Sequence, residues 1–152
     1  GWRTPLRDAL DGLRDSLAPP YEEAAGRLLR DPWAARDRSV DLLLDPSPEA
    51  ARRFLKDQSR RSLTEEERRR ALRLLDLQRQ ALLMYTSCGW FFDDVGGIEA
   101  VQVLRYAARA IELAKELFNL SLEAGFLEIL AQAKSNDPAR GDGRKIYEAL
   151  VR

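Results

Sequence analysis

The chain has no histidine, a single cysteine, a single methionine and almost no lysine: Lys56, Lys115, Lys134 and Lys145 are all there are among 152 residues. Without histidine there is no imidazole general base, no Ser-His or Cys-His nucleophile pair and no histidine-ligated metal. One cysteine, Cys88, leaves no internal disulfide and no thiolate zinc cluster, and it fits a reduced, cytoplasmic setting. An excess of either charge is missing too, since 25 basic residues face 25 acidic ones. A dedicated nucleic-acid binder carries a basic excess or a basic face. The basic runs Arg60-Arg61 and Arg68-Arg69-Arg70, the second beside Glu65-Glu66-Glu67, read as a solvated helix face rather than a phosphate track. No apolar stretch approaches the roughly 20 residues that cross a bilayer, and no signal-peptide pattern opens the chain. Neither nucleic acid nor membrane is expected as a partner, and no cofactor is implied. Residue 1 is Gly1 and the only methionine is Met84, which reads as a domain processed or excised from a larger protein.

What is present is helical. No stretch alternates apolar and polar residues, so no strand is expected, and 152 residues make a single domain with a real core. A capping residue followed by proline recurs at Thr4-Pro5, Asp31-Pro32 and Ser47-Pro48. The first helix is expected from Pro5 to Leu17 with Leu6, Leu10, Leu13 and Leu17 on one stripe, ended by Pro19-Pro20. A second short helix would carry Tyr21, Ala24, Ala25, Leu28 and Leu29. A third, from Pro32 to Leu44, would bury Trp33, Val40, Leu43 and Leu44, and a fourth would turn Phe54 and Leu55 inward. Thr64 and Glu67 form a capping box ahead of a long helix to about Thr86, with Leu72, Leu75, Leu82 and Tyr85 as its stripe. Ile98, Val101, Leu104, Ala108, Ile111 and Phe118 mark a second long helix. Two shorter ones follow, the last capped by Asp142. The expected architecture is an all-α bundle built around two long helices joined by an aromatic and glycine-rich segment.

That segment, YTSCGWFFDDVGGIE from Tyr85 to Glu99, is unlike the rest of the chain. Trp90, Phe91 and Phe92 would point roughly 100° apart on a helix, so at least one faces an opening or a neighbour. Aromatic faces beside the carboxylates of Asp93, Asp94 and Glu99 suit a sugar ring, and they equally suit core or interdomain packing. A glycosidase needs two carboxyl groups about 5 Å or about 6.5–9.5 Å apart. Asp94 is also placed to cap the helix starting near Gly97 or Ile98, with Gly96-Gly97 turning through positive φ. These acids are too few and wrongly spaced for a calcium loop. Glu99, Gln102 and Tyr106 form a polar stripe that Gln78, Arg79 and Tyr85 could meet, as a buried hydrogen-bond network or a ligand-facing surface. Cys88, among small and apolar residues with no base beside it, is expected to be a buried, inert thiol. The loop GDGR from Gly141 to Arg144 lacks a preceding strand and the P-loop lysine pattern, so a turn with an Asp142 cap accounts for it.

The stretch ALLMYTSCGWFFDDVGGIEAVQVLRYAARAIELA, from Ala81 to Ala114, resembles the C-terminal helical part of bacterial proteins related to glycoside hydrolase family 57, catalogued as domain of unknown function 3536. The opening WRTPLRDALDGLRD from Trp2, the phrase RDPWAARD from Arg30 and the late phrase AKSNDPARGDGRKIYE from Ala133 are similar to the same family. The resemblance implies a larger parent with a catalytic-type (β/α) barrel toward its N-terminus, acting on α-glucans, and this helical domain behind it. The catalytic residues of that family sit on the barrel, none of whose motifs is present here. The resemblance therefore implies an accessory domain, inactive alone, that packs on the barrel. Trp90, Phe91, Asp93, Asp94, Glu99 and Gln102 are its candidate contacts to an α-glucan in the barrel's cleft. A helical protein-interaction or scaffold module without sugar contact is the alternative.

Overall fold

In the computed structural model, which describes residues 1–91 and 93–152, the chain is all-helical, and no strand forms among the described residues. The helices are α1 (Arg3–Gly26), α2 (Pro32–Arg38), α3 (Val40–Leu44), α4 (Pro48–Gln58), α5 (Glu65–Leu83), α6 (Ile98–Phe118), α7 (Glu123–Leu130) and α8 (Gly143–Leu150), with a 3-10 turn at Ser87–Trp90. Helices α5 and α6 pack along each other as the central pair, and α1 crosses both and lies against α7. The expected bundle around two long helices is the observed one.

Several starts follow local chemistry. The Asp31 carboxylate accepts the N–H groups of Trp33 and Ala34 at 3.2 and 3.1 Å, opening α2. Ser47 accepts from Ala50 to open α4, and the Thr64–Glu67 capping box closes both ways at 3.0 and 3.1 Å to open α5. Asp142 accepts the Lys145 N–H to open α8. Each such bond satisfies a donor that the helix end leaves without a partner.

Four expectations are corrected. Helix α1 begins at Arg3 rather than Pro5, with no side-chain cap, and runs through Pro19-Pro20 as one 24-residue helix. Interior proline removes ladder hydrogen bonds and costs about 3 kcal/mol or more. Here the buried stripe continues past the prolines through Tyr21 and Ala25, both 0% exposed, and the Tyr21 hydroxyl donates to the Pro32 carbonyl at 2.5 Å. That packing offsets the loss. The expected third helix divides at Ser39, whose hydroxyl donates to the Arg36 carbonyl at 2.6 Å. The tightened turn brings Leu42 inward and leaves Val40, Leu43 and Leu44 exposed. On α5 the buried residues are Ala71, Leu74, Leu75, Leu77, Gln78 and Ala81, while Leu82 faces outward and the helix ends at Leu83. Ile98, at the first turn of α6, is also outside the core. The rest of α6 buries Ala100, Ala107, Ala110 and Ala114 among larger residues, letting α5 approach closely, and it ends at Asn119 in the left-handed region with φ 55°.

Candidate functional site

Between α5 and α6 the chain crosses one end of the bundle, and Gly89 sets how close it lies. A Cβ on Gly89 would sit 2.3 Å from Cγ2 of Val103, so the 3-10 turn rests directly on α6 and only glycine fits. Trp90 follows, half-buried and packed on the core, with the Arg7 guanidinium 4.9 Å from its ring centroid. Its indole N–H is buried without a partner among the described residues, and its carbonyl accepts from Arg3 Nε at 2.9 Å. Phe91 projects outward and is 82% exposed. Phe92 lies outside the described residues, so the expectation of three diverging rings is described for Trp90 and Phe91 only.

The two aspartates do different things. The Asp93 side chain is exposed, while its backbone carbonyl accepts the Trp2 indole N–H at 3.0 Å and the Asn136 side-chain amide. Asp94 is turned in. Its carboxylate accepts from the Asn136 N–H at 2.8 Å, from the Gly96 N–H at 3.0 Å and from the Ser135 hydroxyl at 2.9 and 3.0 Å. Arg140 Nη1 lies 3.6 Å from it and donates to the Gly96 carbonyl at 2.7 Å. Burial by itself raises the Asp94 carboxyl, but the bonds from Asn136, Ser135 and Gly96, with the Arg140 charge, outweigh it and hold the group below the usual carboxylate range. A carboxylate so occupied is a structural anion rather than a proton donor.

The expected cap is corrected accordingly: α6 opens at Gly97 without a side-chain cap, and Asp94 instead fastens the segment to residues 135–140. Nor do Gly96 and Gly97 turn through positive φ, which among the glycines occurs only at Gly141. Gly96 lets Arg140 and Asp94 come close, since a Cβ there would lie 2.7 Å from Arg140 Nη1 and 2.9 Å from Asp94 Oδ2, and these side chains would have to shift to admit it.

The polar stripe does not close into the expected network. Glu99 and Gln102 are half-exposed on α6, and no side-chain hydrogen bond links Glu99, Gln102, Tyr106 or the buried Gln78 among the described residues. The Tyr85 hydroxyl bonds instead to Asp11 on α1 at 2.5 Å; burial first, then this bond and the Asp11 charge, raise its pKa. Cys88 is exposed rather than buried: the 3-10 turn puts Gly89 against α6 and swings its neighbour outward. At this end of the bundle the segment presents the projecting Phe91 ring. The GDGR loop is a turn with Gly141 at φ 77° and the Asp142 cap, as its sequence suggests.

Trp2, Arg3, Arg7, Ser135, Asn136 and Arg140 all join this site, and none was a candidate from spacing or composition. They lie in the opening WRTPLRD and the late KSNDPAR, two phrases that carry the family resemblance along with the central segment. The three are far apart in sequence and meet at one end of the bundle. No helix among the described residues is long and apolar enough to cross a membrane. No curated protein and no solved structure matches the chain. The model of one family, described as a domain of unknown function, DUF3536, matches residues 1–152, and the chain belongs to that family.

Proposed function

We propose that this domain is the accessory C-terminal part of a larger glycoside hydrolase family 57-like protein, and that its Trp90–Glu99 end is the face that packs on the catalytic-type barrel. The observation that carries the reading is Phe91: a ring 82% exposed on a segment otherwise fastened from two directions, by Trp2 and Arg3 and by Asp94. A large apolar side chain held out from a hydrogen-bonded segment is suited to serve as an interface anchor. Ile98, 83% exposed, extends the apolar surface onto the start of α6. In a longer chain, residues preceding Gly1 leave the domain beside this same segment, because Trp2 and Arg3 are bonded to Asp93 and Trp90.

Packing is favoured over sugar contact by the state of Trp90, whose ring carries Arg7 on its face and rests on the core. Of the aromatic candidates described, Phe91 is the one open to an α-glucan, and it would meet one only at the seam with the barrel. The test compares the full-length parent with its Phe91→Ser/Ile98→Ser variant by small-angle scattering, limited proteolysis and α-glucan turnover. The reading expects a more extended, more readily cleaved variant and no turnover by the 152-residue chain alone. An unchanged scattering profile would sink the docking face. Phe91-dependent binding of a maltooligosaccharide by the isolated domain would favour direct sugar contact instead.

A further inference from the structure

Away from that end, α4 and the loop leading into α5 enclose an open cleft of about 410 Å³, within the range of small-ligand sites. Its walls bring together four cations, Arg52, Lys56, Arg61 and Arg68, and no carboxylate lines it. Leu55, almost wholly buried, and Leu63 supply an apolar floor. In sequence the arginine runs look like a solvated face. In the fold they are joined by two cations from a different helix.

The charges lining the cleft do not cancel. Arg61 is held in a two-pronged pair with Glu67, at 2.9 and 2.6 Å, and Arg68 pairs with Glu65 at 2.5 Å. Arg52 adds its field to Glu65 from across the cleft, but neither Arg52 nor Lys56 makes an ion pair or side-chain hydrogen bond among the described residues. Glu67 and Glu65 thus match Arg61 and Arg68, which leaves the charges of Arg52 and Lys56 without a direct ion pair on the cleft wall, although Lys56 also lines the adjoining cleft with Asp41, Asp45 and Asp57. Glu65 and Glu67 also hold Arg61 and Arg68 in place, so part of the ordering of long side chains that an incoming anion would otherwise require is already done.

We propose that this cleft binds a small phosphate monoester, with Arg52 and Lys56 on the dianion and the organic part over Leu55 and Leu63. A phosphate monoester carries close to two negative charges at neutral pH, which matches the charges of Arg52 and Lys56, and guanidinium and ammonium groups form its strong charge-assisted bonds. A small ligand fits better than a nucleic-acid strand, because two further arginines of α4 and α5, Arg53 and Arg70, are engaged with Asp45 and the Leu117 carbonyl.

The experiment is an NMR titration of the 152-residue chain with inorganic phosphate, phenyl phosphate, sulfate and a single-stranded DNA decamer at constant ionic strength. Expected are saturable shifts confined to the amides of residues 59–63, tighter binding of phenyl phosphate than of inorganic phosphate, and weakening as the pH falls below about 6. Arg52→Ala and Lys56→Ala should each weaken phenyl phosphate about tenfold, the loss of one charge-assisted bond, while Lys56→Arg retains binding. Both side chains are exposed, so unchanged spectra elsewhere establish that the variants fold. Absence of saturation at millimolar phosphate would overturn the proposal. So would affinity unchanged in both alanine variants, sulfate equal to phenyl phosphate, or a decamer that binds more tightly with shifts spreading beyond the cleft.

Discussion

Ser135 donates its hydroxyl to both carboxylate oxygens of Asp94, at 2.9 and 3.0 Å, across 41 residues of chain. With the Asn136 N–H and Arg140 beside it, this contact ties the segment between α5 and α6 to the strap that precedes α8.

Asp94→Asn should destabilise the domain by about 1–3 kcal/mol, the cost of breaking a part-buried set of hydrogen bonds to a charged group. The amide sets donors against the N–H groups of Gly96 and Asn136 and removes the charge that faces Arg140. The pH dependence follows from the depressed folded-state pKa. The carboxylate's contribution is present above the ordinary value of 3.8 and is lost as pH falls through the lower folded value. Thermal unfolding from about pH 5 to pH 3 should therefore fall more steeply for the native chain than for Asp94→Asn. Parallel curves would remove Asp94 from this role.

Gly89→Ala places a methyl group where Cγ2 of Val103 already sits, and overpacking of this kind costs about 1–3 kcal/mol. Val103→Ala in the same chain should recover part of the loss. A double-mutant cycle by denaturant unfolding measures the coupling, which should reach about 0.5 kcal/mol or more. Additive losses would mean that the turn does not rest on Val103.

Phe91→Ser/Ile98→Ser should leave the stability of the isolated domain within about 0.5 kcal/mol, since both side chains lie outside the core. Chemical denaturation checks this. A loss of several kcal/mol would show that these residues support the fold and would undo their assignment to an outer face.

Cys88 should react completely with a thiol reagent in native buffer, without denaturant, because it is exposed. Reaction only after adding denaturant would restore the buried thiol that its neighbours in sequence suggest.

The starts of α2, α4, α5 and α8 were legible because each rests on chemistry within a few residues: Asp31 with Trp33, Ser47 with Ala50, Thr64 with Glu67, Asp142 with Lys145. Pro19-Pro20 misled because the compensation is distant: Tyr21 reaches across to Pro32 and keeps α1 whole. Ser39 misled for a local reason, a single hydroxyl-to-carbonyl bond that shifts which leucine faces inward. At the candidate site the segments that hold the family phrases meet in the fold, but the role of Asp94 was not readable from residues 90–99 alone. Its partners stand more than 40 positions away, and pairings at that distance have no periodic signature.

Because Trp2 reaches Asp93 and Asn136 reaches the same carbonyl, the crossing between α5 and α6 is clamped by chain lying on both sides of it in sequence. On a ribosome, α1 through α6 can emerge and pair while that crossing still lacks its second clamp. Contacts of such long separation form late because the intervening loop must first be closed. A nascent chain stopped just after α6 should therefore hold a packed helical body with an open, protease-sensitive corner, which closes only when the region around Asn136 and Arg140 has been synthesised.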